Sequence, residues 1–286
     1  MAGVCTSRDQ LRLALPFNRK RSVVMTMGAL HDGHAALIDA AREQAGSQGH
    51  VTVTIFVNPL QFGPHEDFAR YPRTPQADID LAAAHGADLI YLPSVADVYG
   101  SDEGQQNDAM VITPGPLGRC WEGERRPGHF AGVLTVVMTL LHLTRAEIAL
   151  FGEKDYQQLT LIRAMAERFA LGVRIIGVPT VRDRDGLALS SRNAYLTPSQ
   201  REQAQAIPRA LFAAQRAAAA GAVAEAVTGV AAEELRTADL TPDYLALTDP
   251  AMGPPPETGE ARLLVAVPVG ATRLLDNVRI TLRSVA

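Results

Sequence analysis

The string MTMGALHDGH carries two histidines, His31 and His34, with an aspartate and a glycine between them. It follows a β-branched run and precedes an Ala/Leu-rich stretch. At a strand-to-helix turn, such a pair would lie beside the free N–H groups and positive dipole end of a helix, a place that attracts phosphate. Three apart near the helix start, the two rings can point the same way. Both can donate to phosphate oxygens and stabilise charge that builds on an α-phosphate under attack. Gly28 and Gly33 would let the backbone approach a ligand closely. Two other readings compete: a metal-binding pair, which lacks a third ligand at local spacing, and a pair that only satisfies a helix cap.

Four further stretches hold chemically useful groups. LALSSRNAYLT, from Leu187, places Ser190, Ser191 and Arg192 in one short loop. Two hydroxyls and a guanidinium suit triphosphate oxygens; the alternative is an N-cap cluster on a linker. FGEKDYQQ, from Phe151, offers Gly152 for a tight turn, Lys154 as a mobile cation, Asp155 as an N-cap and Gln158 on the first helical turn. Lys154 is one of only two lysines among 27 basic residues. A chain that writes arginine almost everywhere has kept a compact point charge here, and the two side chains differ in chemistry. IFVNPLQFGPHEDFARYPRTPQAD is a long polar loop with Asn58, Gln61, Tyr71 and Arg73, of the kind that is often functional inside an α/β unit. At its end, Asp78 is a possible carboxylate for Mg²⁺ or a solvated helix acid. CWEGERRPGHFAGV contains Arg125, Arg126 and His129 in a Gly/Pro-rich loop that could close over phosphates or form an interface.

These groups need a scaffold. Short apolar, mostly β-branched runs begin at Ser22, Val51, Ala87, Glu147 and Val173, and helical patterns lie between them. That alternation predicts a parallel sheet covered on both faces, with ligands beyond the carboxyl ends of its strands. After about Asn193 the pattern becomes Ala-rich helix, with Pro208 as a kink or break, and then three strand-like runs from Asp243 onward. The expected fold is therefore α/β: a doubly wound, Rossmann-like N-terminal domain over residues 1–182. A smaller α+β domain with an antiparallel sheet follows over residues 183–286.

Composition narrows the class. The net charge of −4 implies no broad basic surface for nucleic acid. The two cysteines make neither a disulfide framework nor a zinc pattern. The longest apolar run, from Ala131, is too short to span a bilayer comfortably. The expectation is a cytoplasmic enzyme or binding protein.

Together TMGALHDGH, IFVNPLQF, YPRT, RPGHFAGV, FGEKDYQQL and DGLALSSRNAYL resemble the pantothenate synthetase (pantoate–β-alanine ligase) family, most densely over residues 24–195. The first string resembles the HxGH nucleotide motif, and LSSRN resembles the KMSKS loop of class I aminoacyl-tRNA synthetases. The resemblance implies a two-step ligation. Pantoate and ATP give pantoyl adenylate and pyrophosphate; β-alanine then gives pantothenate and AMP.

Carried over, His31 and His34 would contact ATP and stabilise the adenylation transition state, with Met27 packed near the nucleotide. Lys154, Ser190, Ser191 and Arg192 would bind phosphates. Gly152, Asp155, Val181 and Leu189 would line the ATP site, with Asp155 near the ribose. Gln61 and Gln158 would hold pantoate, with Asn58, Tyr71 and Arg126 nearby. Mg²⁺ would ride on the triphosphate within reach of Asp78. The C-terminal domain would act as a lid, and the protein would be a homodimer. Two positions depart from the family pattern: Met25 stands where proline is usual, which would free a turn, and Ala77 where many relatives carry a second acid. Rival readings are a different nucleotidyltransferase of the same superfamily, and a nucleotide-binding module without catalysis.

Overall fold

The computed structural model describes residues 2–64, 66–100 and 110–283. Strands β1 (Gly3–Cys5), β2 (Arg21–Thr26), β3 (His50–Ile55), β4 (Leu89–Tyr91), β5 (Ile148–Gly152) and β6 (Arg174–Val178) form a parallel sheet in the order β1-β4-β3-β2-β5-β6. Between them run helices α1 (Arg8–Ala14), α2 (Asp32–Ala45), α3 (Pro75–Ala84), α4 (Val95–Tyr99), α5 (Glu122–Arg125), α6 (His129–Thr144) and α7 (Tyr156–Arg168).

Strand residues alternate between two cores because successive side chains point to opposite faces. Val23, Leu89, Tyr91, Ala149 and Phe151 pack with Leu11 of α1, Leu134 and Val137 of α6, and Leu159 and Ile162 of α7. Their neighbours Val24, Ile90, Ile148 and Leu150 pack with Ile38 and Ala41 of α2 and Ala82 of α3. Both faces are thus buried, which is why these strands read as near-continuous apolar runs. The strand order reverses between β2 and β5. Ligands of open α/β sheets bind outside the carboxyl ends at such a switch point, and residues 27–34 and Gly152 follow or end those two strands.

A second compact unit comprises Thr180–Ala286 and also Lys154–Tyr156. It contains helices α8 (Pro198–Ala204), α9 (Ala206–Ala219) and α10 (Ala224–Thr237). They pack on an antiparallel sheet of β7 (Tyr244–Thr248), β8 (Gly259–Val269) and β9 (Thr272–Leu282). The helical break falls at Gln205, which closes α8 and opens α9, so Pro208 sits in the first turn of α9 rather than making the break. A proline is tolerated there because first-turn N–H groups lack helical partners anyway.

Among the described residues, four short strands and helices escaped the sequence pattern: β1, α1, α4 and α5. Their three to seven residues are too few for a period to show. Met25 also differs from expectation. It lies inside β2, paired with Thr54 of β3, so no turn is loosened by the missing proline. Among the described residues, no helix is long and apolar enough to cross a membrane.

Candidate active site

The turn after β2 is shaped by two successive left-handed residues, Gly28 (φ +84°) and Ala29 (φ +50°). This places consecutive backbone N–H groups side by side, as in an anion-binding nest. The anion that fills it is internal. Asp78 of α3 accepts from Ala29 N at 3.1 Å and Leu30 N at 2.8 Å, and from the Thr74 hydroxyl at 3.0 Å. The Asp78 side chain is buried.

Asp78, expected as a possible Mg²⁺ carboxylate, accepts from three donors inside the protein and has no second acid beside it at Ala77. Among the described residues no group of three or more His, Cys, Asp or Glu side chains is arranged to hold a metal. Asp78 instead positions the turn. Asp78→Asn replaces an acceptor oxygen with an amide that opposes a backbone N–H. It should cost about 1–3 kcal/mol, the penalty for an unsatisfied buried polar group, measured as a lower urea midpoint.

The two histidines cap α2 reciprocally. His31 is the N-cap, and its Nδ1 accepts from Gly33 N at 3.1 Å. His34, three residues on, accepts from His31 N through its own Nδ1 at 3.2 Å. The arrangement is a capping box built from imidazoles. The ring centroids lie 4.2 Å apart at 47°. A backbone N–H only donates, so each Nδ1 accepts and each Nε2 carries the ring proton. The cap reading and the phosphate reading are thus compatible: capping uses Nδ1 and fixes the tautomer with the proton on Nε2. The expectation of free helix N–H groups is corrected, since the Gly33 N–H belongs to His31.

The loop after β3 is held from several sides. Asn58 donates to Gln61 Oε1 and to Gly132 O, each at 3.2 Å, and accepts from Leu60 N and the Tyr99 hydroxyl. With those bonds made it is scaffolding for Gln61. Gln61 Nε2 lies 2.8 Å from Met27 Sδ, so the structure brings the expected nucleotide and pantoate segments together. A Cβ on Gly132 would stand 2.2 Å from Leu60 O, so only glycine lets α6 approach this loop. Tyr71 is buried edge-on against Phe62.

Arg126 is engaged rather than reaching outward. It forms a two-pronged pair with Glu66, Nε to Oε1 at 2.8 Å and Nη2 to Oε2 at 2.6 Å. Its Nη1 meets His129 Nε2 at 3.0 Å, and His129 Nδ1 lies 2.8 Å from Gln61 O. The carbonyl can only accept, so His129 carries its proton on Nδ1 and accepts from Arg126. Sequence reasoning missed Glu66 and assigned His129 no specific contact, because neither a charge pair across a loop nor a tautomer leaves a local pattern.

Burial alone would raise the Glu66 carboxyl, but hydrogen bonds and charge from Arg126 outweigh it and hold the group below its ordinary value of 4.5. Between the folded and unfolded values the unfolded chain binds more protons, so this pair stabilises above about pH 4.5 and fades as pH falls through the lower folded value. The stability gap between the parent and Glu66→Gln should therefore be present at neutral pH and shrink below that point, as read by thermal melts across pH.

α7 begins directly after Asp155, and Gln158 is half-buried on its first turn. Its neighbour Gln157, which the sequence did not single out, is buried and donates to Leu117 O and Cys120 O at 2.8 and 2.9 Å. It anchors the segment leading to α5.

In the second unit, residues 181–189 form a small hairpin. Leu189 N donates to Val181 O at 2.9 Å, Arg182 bridges to Ala188, and Gly186 turns with φ +84°. The hairpin ends at Ser190, whose Oγ accepts from Arg192 N at 3.3 Å and caps the 3-10 turn Ser191–Tyr195. A hydroxyl that accepts still has a proton to donate. Lys154 Nζ lies 3.7 Å from Asp155 Oδ1, a loose pair.

A model of the pantoate–β-alanine ligase family matches residues 4–279. The chain belongs to this family. It is 52% identical over 291 residues to a pantothenate synthetase of a Nocardioides species, covering 96% of this chain and 84% of that one. It is 53% identical to one of Salinispora arenicola, covering 91% and 90%. Among solved structures, a Thermus thermophilus pantothenate synthetase superposes with a TM-score of 0.90 at 41% identity, covering 96% and 98%. A Francisella tularensis pantoate–β-alanine ligase, complexed with β-γ ATP and β-alanine, superposes at 0.79 with 33% identity, covering 97% of each chain. The Thermus thermophilus likeness, at 96% of this chain, takes in both the six-stranded parallel sheet and the three-stranded antiparallel sheet described above.

Proposed function

We propose that this protein condenses D-pantoate with β-alanine at the expense of ATP. A pantoate carboxylate oxygen attacks the α-phosphorus, and pyrophosphate leaves. The β-alanine amine then attacks the acyl carbon of pantoyl adenylate, loses a proton, and AMP leaves with the carboxylate-derived oxygen. No covalent protein nucleophile is required. Positioning and electrostatic stabilisation carry the rate.

The observation that carries this reading is the imidazole capping box. It presents two Nε2–H donors, preset in tautomer, at the end of β2 beside the switch point of the sheet. Donors that need no reorganisation are most effective where charge develops. Met27 and Gly152 lie at the same carboxyl edge and would line the nucleotide. Gln61, held by Asn58, would receive pantoate together with Gln158. Tyr71 and Arg126 shape that loop. Lys154, Ser190, Ser191 and Arg192 would bind the phosphates, with Asp155, Val181 and Leu189 lining the nucleotide. Mg²⁺ would enter as part of the ATP substrate, while Asp78 braces the turn that carries the histidines. A homodimeric cytoplasmic enzyme, with the second unit acting as a lid, accords with the resemblance.

Pyrophosphate release from MgATP tests the reading. With D-pantoate alone, release should stop near one equivalent per site. Adding β-alanine should make it continuous, with AMP formed in step. ATP binding without release under either condition would overturn the ligase reading in favour of a nucleotide-binding module.

A further inference from the structure

One strand of the second unit reaches both segments assigned above to the phosphates. Asp276 and Asn277 are adjacent on β9 and so point to opposite faces of its sheet. Asp276 stands in the row of Leu274, Val278 and Ile280, which faces the core of this unit. There it accepts both prongs of Arg182, at 2.5 and 2.8 Å. Arg182 also stacks on the Phe212 ring of α9 and donates to Gly186 O, so the hairpin that leads into Ser190 is fixed on that face. On the other face, the buried Asn277 donates from Nδ2 to the carbonyl oxygen of Lys154 at 2.9 Å and accepts on Oδ1 from Arg262 at 3.0 Å. A guanidinium only donates and a carbonyl only accepts, so these two partners leave the amide one orientation. The next residues are held as well. The Arg262 guanidinium covers the Tyr156 ring at 4.0 Å, and the Tyr156 hydroxyl donates to Pro250 O at 3.0 Å.

Lys154 therefore has a hydrogen-bonded backbone carbonyl and a loosely paired ammonium. Its main chain is tied to β9, while its Nζ lies in a loose pair with Asp155 and within electrostatic reach of Asp276. A cation that must follow charge moving from an α-phosphate to a departing pyrophosphate needs this combination. We propose that Asn277 is a positioning residue for the ligation: by holding the Lys154 carbonyl it sets where the Lys154 ammonium can reach the phosphates. This rests on the reading of Lys154 as a phosphate-binding residue.

The test is a double-mutant cycle in the full-length chain, read by pyrophosphate release from MgATP and D-pantoate. Asn277→Asp keeps the acceptor for Arg262 but turns an oxygen on the Lys154 carbonyl. Asn277→Ala removes the donor without adding a charge, and serves alone if the aspartate variant does not fold. In the parent background each should lower kcat about tenfold, with a smaller change in KM for ATP. In a Lys154→Ala background the same change should cost less than about twofold, because the group being positioned is gone. A merely structural role would give the same loss in both backgrounds, and that result would overturn the proposal. So would parental kcat in both Asn277 variants. If Lys154→Ala itself retains parental activity, the phosphate reading of Lys154 fails first, and the inference with it.

Discussion

His34→Asn should fold like the parent and lose more than tenfold in adenylation rate. The reasoning separates two jobs of one ring. Nδ1 of His34 accepts from His31 N at 3.2 Å and closes the capping box. An asparagine Oδ1 occupies nearly the same position and can keep that bond, but nothing in asparagine replaces the Nε2–H. His34→Ala loses both, so it should add a helix-capping penalty of about 0.5–2 kcal/mol to the same rate loss. A tenfold loss corresponds to about 1.4 kcal/mol of transition-state stabilisation. The checks are pyrophosphate release and thermal melts on both variants. Near-parental release from His34→Asn would remove the imidazole donors from the mechanism and leave the pair as a cap only.

Lys154→Ala should also lose more than tenfold, and Lys154→Arg should not restore the rate. A lysine ammonium is a compact charge that can shift between phosphate oxygens, whereas a guanidinium is a planar fork that seeks two-pronged acceptors. Here the fork has a competing acceptor next door. Asp155 stands 3.7 Å from the present Nζ and is nearly half exposed. Arginine at this position would pair with it on both prongs and be held away from the phosphates. Steady-state kcat with saturating MgATP distinguishes the cases. Full activity in Lys154→Arg would mean that charge alone suffices and that mobility plays no part.

Local patterns made much of the protein legible. The alternation of apolar strands with helical periods predicts the doubly wound sheet because each strand is buried on both faces and must be apolar throughout. The histidine pair, Lys154 and residues 190–192 are visible as well, because catalytic turns concentrate unusual residue types in a few positions. Asp78 shows where such reading stops. A carboxylate near a nucleotide motif suggests a metal, and only its three donors reveal a brace for the turn at Gly28. Arg126 is similar: a loop arginine suggests an anion, and only Glu66, 60 residues away, shows that its charge is already met.

The sequence by itself determined the class of fold, the family and the short strings that carry the chemistry, since all of these are written in contiguous residues. The tertiary structure decided which atoms of those strings are available. It set the ring protons of His31 and His34 and occupied the carboxylate of Asp78. It also tied the Lys154 carbonyl to a residue 123 positions away. The reason is physical. A hydrogen bond commits a particular lone pair or proton, and its partner is chosen by proximity in space, which residue spacing along a chain does not encode.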